Sequence, residues 1–261
     1  VMALNKQTIG ALLVGLALLL VALEKLFFHS DSAEQNLSLA FASPDWIEPL
    51  GRDHFGRSNI ARLSDAIVTS LVLAWVSVAT SASLGVAAGV LAGWKRGWWD
   101  RMCSFLMNII LAMPGLILVL LFAALVPGSF LILYVAIALI LWVEFFRVVR
   151  NRTLSLIQSP EVEASILYGF GDWYVFKRHI WPHCRQDVFT LCCFGAGNTI
   201  LALASLGFLH VGLKPPEAEL GLMMVELFRY YQMAPWVLAQ PLVTLFILVL
   251  GFHLLASGEK S

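Results

Sequence analysis

Charge is what this sequence has least of. Asp, Glu, Lys and Arg together make up 13% of its 261 residues, against about a quarter in an ordinary soluble chain. Residues 7–23, 66–94, 102–143, 188–213 and 230–258 contain none of the four. With 59% of residues apolar and a mean hydropathy of +0.82, too little polar surface remains to wrap a core of this size. A soluble enzyme is excluded. Cysteine is also scarce: Cys103, Cys184, Cys192 and Cys193 have no CxxC spacing and fall in or beside apolar runs. Neither a disulfide framework nor a zinc site is supported. The phosphate cradle of nucleotide hydrolases (Gly, four residues, Gly-Lys-Ser/Thr) is absent, so ATP chemistry does not reside in this chain. Nor is there a GxSxG or an aspartate pair of the kind an intramembrane enzyme would need. The formal net charge is zero, which points to no nucleic-acid partner.

One membrane crossing takes about 20 apolar residues. Hydropathy therefore predicts an all-α, polytopic chain, a single transmembrane domain over 1–261, with about six helices at 9–28, 66–94, 102–126, 129–149, 188–212 and 237–256. Pro127-Gly128 splits the longest run into a hairpin, because proline removes a backbone donor and glycine frees the chain. The first helix lacks a small-residue cleavage site and is expected to stay as an anchor. Polar segments lie at 29–65, 150–187 and 213–236. With the N-terminus in the cytoplasm, eleven Lys and Arg fall inside and six outside. The excess predicts that both termini are cytoplasmic, 150–187 is cytoplasmic, and the other two segments face outward.

The 150–187 segment is long for a connection between bundled helices. Ser159-Pro160, followed by Glu161 and Glu163, reads as the start of a short helix with Val162, Ser165, Ile166 and Tyr168 along one stripe. Gly169 and Gly171 end it, Asp172 is placed to cap a second short helix, and Pro182 is expected to stop that one. The apolar faces need cover, either from this protein's own helix ends and the lipid interface or from a groove on a soluble partner.

At this loop the sequence resembles the inner-membrane permease subunits of ABC importers, in the oligopeptide/dipeptide/nickel branch. Glu163-Ala164-Ser165, then Gly169, then Arg178-His179-Ile180-Trp181-Pro182 follow the family's cytoplasmic signature, with Ser165 for Ala and Trp181 for Leu. Leu50-Gly51-Arg52-Asp53 with Gly56-Arg57 and Arg62-Leu63 is similar to the branch's outer segment, with Arg52 for Thr and Ser58 for Asp. The stretch 142–150 resembles the end of its fourth helix. Gly207 through Pro215-Pro216 to Gly221 is similar to the segment after its fifth. The resemblance covers about 50–255 and implies a type I importer permease fold.

It further implies a role for each block. Glu163, Ala164, Ser165, Gly169, Ile180 and Pro182 would form the coupling segment seated on an ATPase. Asp53, Gly56, Arg57, Pro215 and Pro216 would belong to outer loops where an extracytoplasmic binding protein docks. Asn198 and Thr199, on the fifth helix, are candidates to line the path. The implied partners are a second permease subunit, expected as a heterodimer, two ATPase domains carrying ATP and magnesium, the binding protein, and membrane lipid in a bacterial inner membrane. No cofactor is expected on this chain, and short peptides and nickel or metal chelates both stand as cargo.

Other residues carry narrower expectations. Glu144, deep in the fourth helix, reads as an ion pair with Arg147 one turn on, near the inner surface, with lining the path as the alternative. His179, His183 and Cys184 are metal-like in type, but the motif accounts for His179 and no metal site is expected. Gly85, Gly89 and Gly93 read as a close-packing stripe. Trp94, Trp98 and Trp99 read as an interfacial belt. Glu226 and Arg229 read as a surface pair of little weight. A secondary transporter or channel is the alternative, and it would need an internal repeat with paired broken helices, which the sequence lacks.

Overall fold

The computed structural model describes residues 5–257. Within them the regular structure is helical, apart from one isolated bridge between Arg52 and Ser58. The long helices are α1 (Lys6–Leu23), α2 (Asn59–Lys95), α5 (Phe130–Ile157), α8 (Trp181–Phe208) and α10 (Pro235–Ala256). Shorter ones are α3 (Gly97–Leu111), α4 (Gly115–Leu125), α6 (Pro160–Leu167), α7 (Asp172–Val175) and α9 (Leu220–Phe228). Among the described residues five helices are long and apolar enough to cross a membrane, and α3 with α4 makes a sixth if that bent pair counts as one span.

The expected third helix, 102–126, is thus not continuous. Pro114 cannot extend α3 and instead opens α4, so the two meet at 83°. Other boundaries move outward. α2 begins at Asn59 rather than 66, because Ser58 caps it (Ala61 N–H to Ser58 Oγ, 3.4 Å) and its first turns carry charges that find partners. Its 37 residues span about 55 Å, well beyond a hydrocarbon core of about 30 Å. α5 continues past 149 to Ile157, because Arg150 pairs with Asp100 of α3 (Nη2 to Oδ2, 2.8 Å). α8 starts at Trp181 and ends at Phe208 instead of spanning 188–212. Pro182 therefore does not stop the second short helix. It sits at the start of α8, directly after the π-helical stretch 176–180, within a helix that continues from Asp172 to Phe208.

α2 packs most extensively on α5, α8 lies against α2 and α10, and α10 carries α1. The core between them holds Ile67, Leu73, Val78, Leu133, Ile137, Phe145, Phe146, Ile200 and Leu203. The glycine stripe makes the α2–α5 contact possible. A Cβ on Gly85, Gly89 or Gly93 would lie 2.5 Å from Phe145 Cβ, 3.0 Å from Arg150 N, or 2.8 Å from Thr153 Cβ. Without it, ridges of one helix reach the backbone of the other, the close approach small residues give in membranes. The Pro127-Gly128 hairpin joins α4 to α5, as expected.

Candidate functional site

Three places gather the residues singled out by sequence. The first is the elbow between α5 and α8. α6 opens on Pro160 with Glu161 and Glu163 in its first turn. It closes in a Schellman arrangement: Gly169 N–H donates to Ile166 O (2.9 Å) and Phe170 N–H to Ser165 O (3.1 Å), with Gly169 left-handed at φ +81°. A Cβ there would meet no neighbour, so the backbone conformation and not space demands the glycine. α7 is capped by Gly171, with Asp172 inside its first turn instead of at the cap. A π-helical stretch, Phe176–Ile180, then leads directly into α8.

The elbow has two sides. Val162, Val175 and Ile180 are fully buried, and Ser165 Oγ lies 2.9 Å from His179 Nε2, tying α6 to the π-helical stretch. Outward, Leu167 (82% exposed), Tyr168 (83%) and Trp173 (72%) stand free, with Ile166, Phe170 and Tyr174 around them. Phe170 and Tyr174 stack at 4.3 Å. The expected stripe therefore divides: Val162 and Ser165 face in, while Ile166 and Tyr168 face out. Glu163 and Pro182 are exposed and Ala164 is half-buried. His183 Nδ1 lies 2.7 Å from His179 O, and among the described residues no group of three metal-ligating side chains occurs.

The second place is the polar loop before α2, where it meets α9. Asp53 Oδ1 accepts from the Phe55 and Arg57 N–H groups, both at 2.9 Å. Its Oδ2 accepts from Arg57 Nε and Arg62 Nη1, both at 2.7 Å. The same two guanidiniums donate to Glu226 Oε2 of α9 at 2.9 and 2.7 Å. Burial alone would raise the Asp53 pKa, but the Arg57 N–H and the two guanidiniums outweigh it and hold the carboxyl below its usual range. Asp53, Gly56 and Arg57 are buried, so they shape the loop from within, while Pro215 and Pro216 lie on the exposed surface.

Glu226 corrects the sequence reading. It belongs to this buried cluster and Arg229 is left exposed, so the two do not form a surface pair. Three arginines (Arg52, Arg57 and Arg62) against one aspartate in 52–62 leave guanidiniums short of an anion, and that imbalance was the readable signal. Nearby, Arg52 and Ser58 both donate to Glu48 (3.0 and 2.6 Å). Glu219, fully buried, accepts from the Gly221 and Leu222 N–H groups at the head of α9, and burial pushes its pKa up to about 7.

The third place lies within the bilayer. Glu144, Asn198 and Thr199 line one cavity of about 170 Å³, walled by Leu116, Ile137 and Ala202 and by Gly115 just past the α3–α4 bend. Thr199 donates to Gly195 O (2.7 Å). The Glu144–Arg147 pair expected from sequence is not formed: Glu144 is half-buried in the cavity and Arg147 is exposed.

Residues 85–257, from the glycine stripe through the elbow to α10, match the family described as the binding-protein-dependent transport system inner membrane component. The chain belongs to these ABC importer permeases. Among its relatives, the dipeptide transport system permease protein DppC of Alkalihalophilus pseudofirmus is 29% identical over 98% of this chain and 84% of its own length. The glutathione transport system permease proteins GsiD of Shigella dysenteriae and of Escherichia coli are 32% identical over 80% of this chain and 69% of theirs. The permease is accordingly a multi-pass inner-membrane transport subunit and not an enzyme.

Proposed function

We propose that the permease forms half of a translocation path for short peptides and is driven by a cytoplasmic ATPase seated on the α6–α7 elbow. The observation that carries this reading is the elbow's division into a rooted side and a free side. Val162, Val175 and Ile180 fix it to the transmembrane helices, while Leu167, Tyr168 and Trp173 stand exposed. A contiguous apolar surface in an aqueous loop marks an interaction site, and a short helix of this kind suits a groove on a partner. Glu163, beside it, offers a carboxylate to a basic group. Because the shape is fixed by the Ser165–His179 contact and the turn at Gly169, a push on the elbow passes to α5 and α8 as a rigid-body movement.

ATP and magnesium belong on the partner ATPase in this reading, and this chain binds no cofactor. A second permease subunit, different in sequence, completes the path, and α3, which has no buried residue, offers it an apolar face. An extracytoplasmic binding protein docks on the outer surface that includes Pro215 and Pro216. Both termini lie in the cytoplasm, in keeping with the excess of Lys and Arg on that side. Peptide cargo is favoured over metal chelates by the relatives' names, dipeptide and glutathione transport.

Uptake of a labelled dipeptide tests the coupling role. Glu163→Ala and Gly169→Trp should each lower it more than tenfold while the protein remains in the membrane. Full uptake by both variants would remove the elbow from the coupling machinery.

A further inference from the structure

We infer that Glu144, with Asn198 beside it, receives the ammonium group of the cargo as it crosses the membrane. The inference deepens the peptide-permease reading and rests on it. Glu144 lies fourteen residues into α5, about 21 Å from the helix's outer end, where a carboxylate is expensive unless it is paired or faces a polar cavity. A structural acid at this depth would be held by a cation. Arg147 is the nearest candidate along the helix, but it is exposed and forms no ion pair with Glu144. Glu144 instead faces the cavity it shares with Asn198, which is exposed. Thr199, the third polar group, is already satisfied by the Gly195 carbonyl. The cavity reaches Gly115 beside the α3–α4 bend, among the described residues the one place where a span is broken by a sharp bend.

The donor set selects the ligand class. Two carboxylate oxygens and one amide oxygen match the three N–H donors of a primary ammonium. A hard divalent cation calls for six or more oxygens, and no group of three ligating side chains exists among the described residues. The remaining walls, Leu116, Val119, Ile137, Ile140, Leu141 and Ala202, suit an apolar side chain next to the amine. At about 170 Å³ the cavity is smaller than the several hundred Å³ of a pocket that encloses a whole ligand, so it holds one end of the cargo in passing. A weak, local partner for a charge is what passage requires, since a tight one would hold the cargo.

The test is uptake of trialanine into proteoliposomes carrying the whole importer, read as peptide moved per ATP hydrolysed. Glu144→Gln, which keeps shape and removes charge, should lower that ratio about tenfold, whereas Glu144→Asp should stay within threefold of the wild type. A purely structural role would not separate the two. An unchanged ratio in Glu144→Gln would overturn the inference, and so would equal losses in both variants. If Glu144→Gln fails to assemble with its partners, Asn198→Leu takes its place, with about a threefold loss expected and an unchanged ratio overturning the proposal. A wild-type importer that moves no trialanine in the presence of ATP would instead sink the peptide reading, and this inference with it.

Discussion

At the scale of single residues, the loop before α2 depends on a closed set of four charges. Asp53 and Glu226 each hold both Arg57 and Arg62, and all four lie in or at the edge of the interior. Removing one partner of such a set leaves charges buried without an anion, at a cost of about 3–5 kcal/mol. Asp53→Asn should therefore lower the detergent-solubilised protein's unfolding free energy by that amount, read from denaturant melts. Acid should act in the same direction. The Asp53 pKa is depressed by folding, so its contribution is present above the usual carboxylate value and is lost as the pH falls through the lowered one. A variant as stable as the wild type would show that the cluster is solvated in the membrane-bound protein. The sequence made Asp53, Arg57 and Arg62 visible but left Glu226 obscure. It reaches them across more than 160 residues of chain (Arg62 to Glu226), and nothing local announces that pairing.

At the scale of elements, the helices were legible from their long apolar runs, though not every proline break within them was. The hairpin at Pro127-Gly128 and the stripe of Gly85, Gly89 and Gly93 follow from residue chemistry alone. The helix ends did not follow, because charge was read as the limit of a helix. α2 and α5 carry their charged turns beyond the hydrocarbon, where Arg62 finds Asp53 and Arg150 finds Asp100. Proline was misread in the opposite sense. Pro182 was expected to end a helix and is instead carried within one, whereas Pro114, lying inside an apolar run, breaks a helix that hydropathy showed as continuous. The stripe makes its own prediction. Gly89→Val would press a branched side chain onto the α5 backbone at 3.0 Å, and overpacking of this kind costs about 1–3 kcal/mol. The variant should melt at lower denaturant than the wild type, whereas Gly171→Val, with no neighbour near its Cβ, should melt close to it. Equal melts would mean that α2 and α5 separate in the membrane.

At the scale of the whole molecule, three sites stand apart: a locked charge cluster, a largely apolar cavity holding Glu144, Asn198 and Thr199 beside the α3–α4 bend, and an exposed elbow between α5 and α8. α5 and α8 contribute residues to the cavity and flank the elbow, so the two sites share the same pair of helices. The elbow was legible because its motif is local and carries its own turn residues. The cavity was only half legible: Asn198 and Thr199 stood out as polar groups in an apolar helix, but Glu144 was assigned to Arg147 because spacing along a helix says nothing of which way each side chain turns.

The central claim is that this permease works with a separate ATPase gripping the elbow. The direct measurement is a gentle-detergent purification of the chain from its native membrane, with the co-purifying proteins identified, for the wild type and for Glu163→Ala. The account predicts recovery of an ATPase bearing the phosphate cradle together with a second permease, and loss of the ATPase but not the permease in Glu163→Ala. A chain recovered alone, or an ATPase retained in full by the variant, would contradict it.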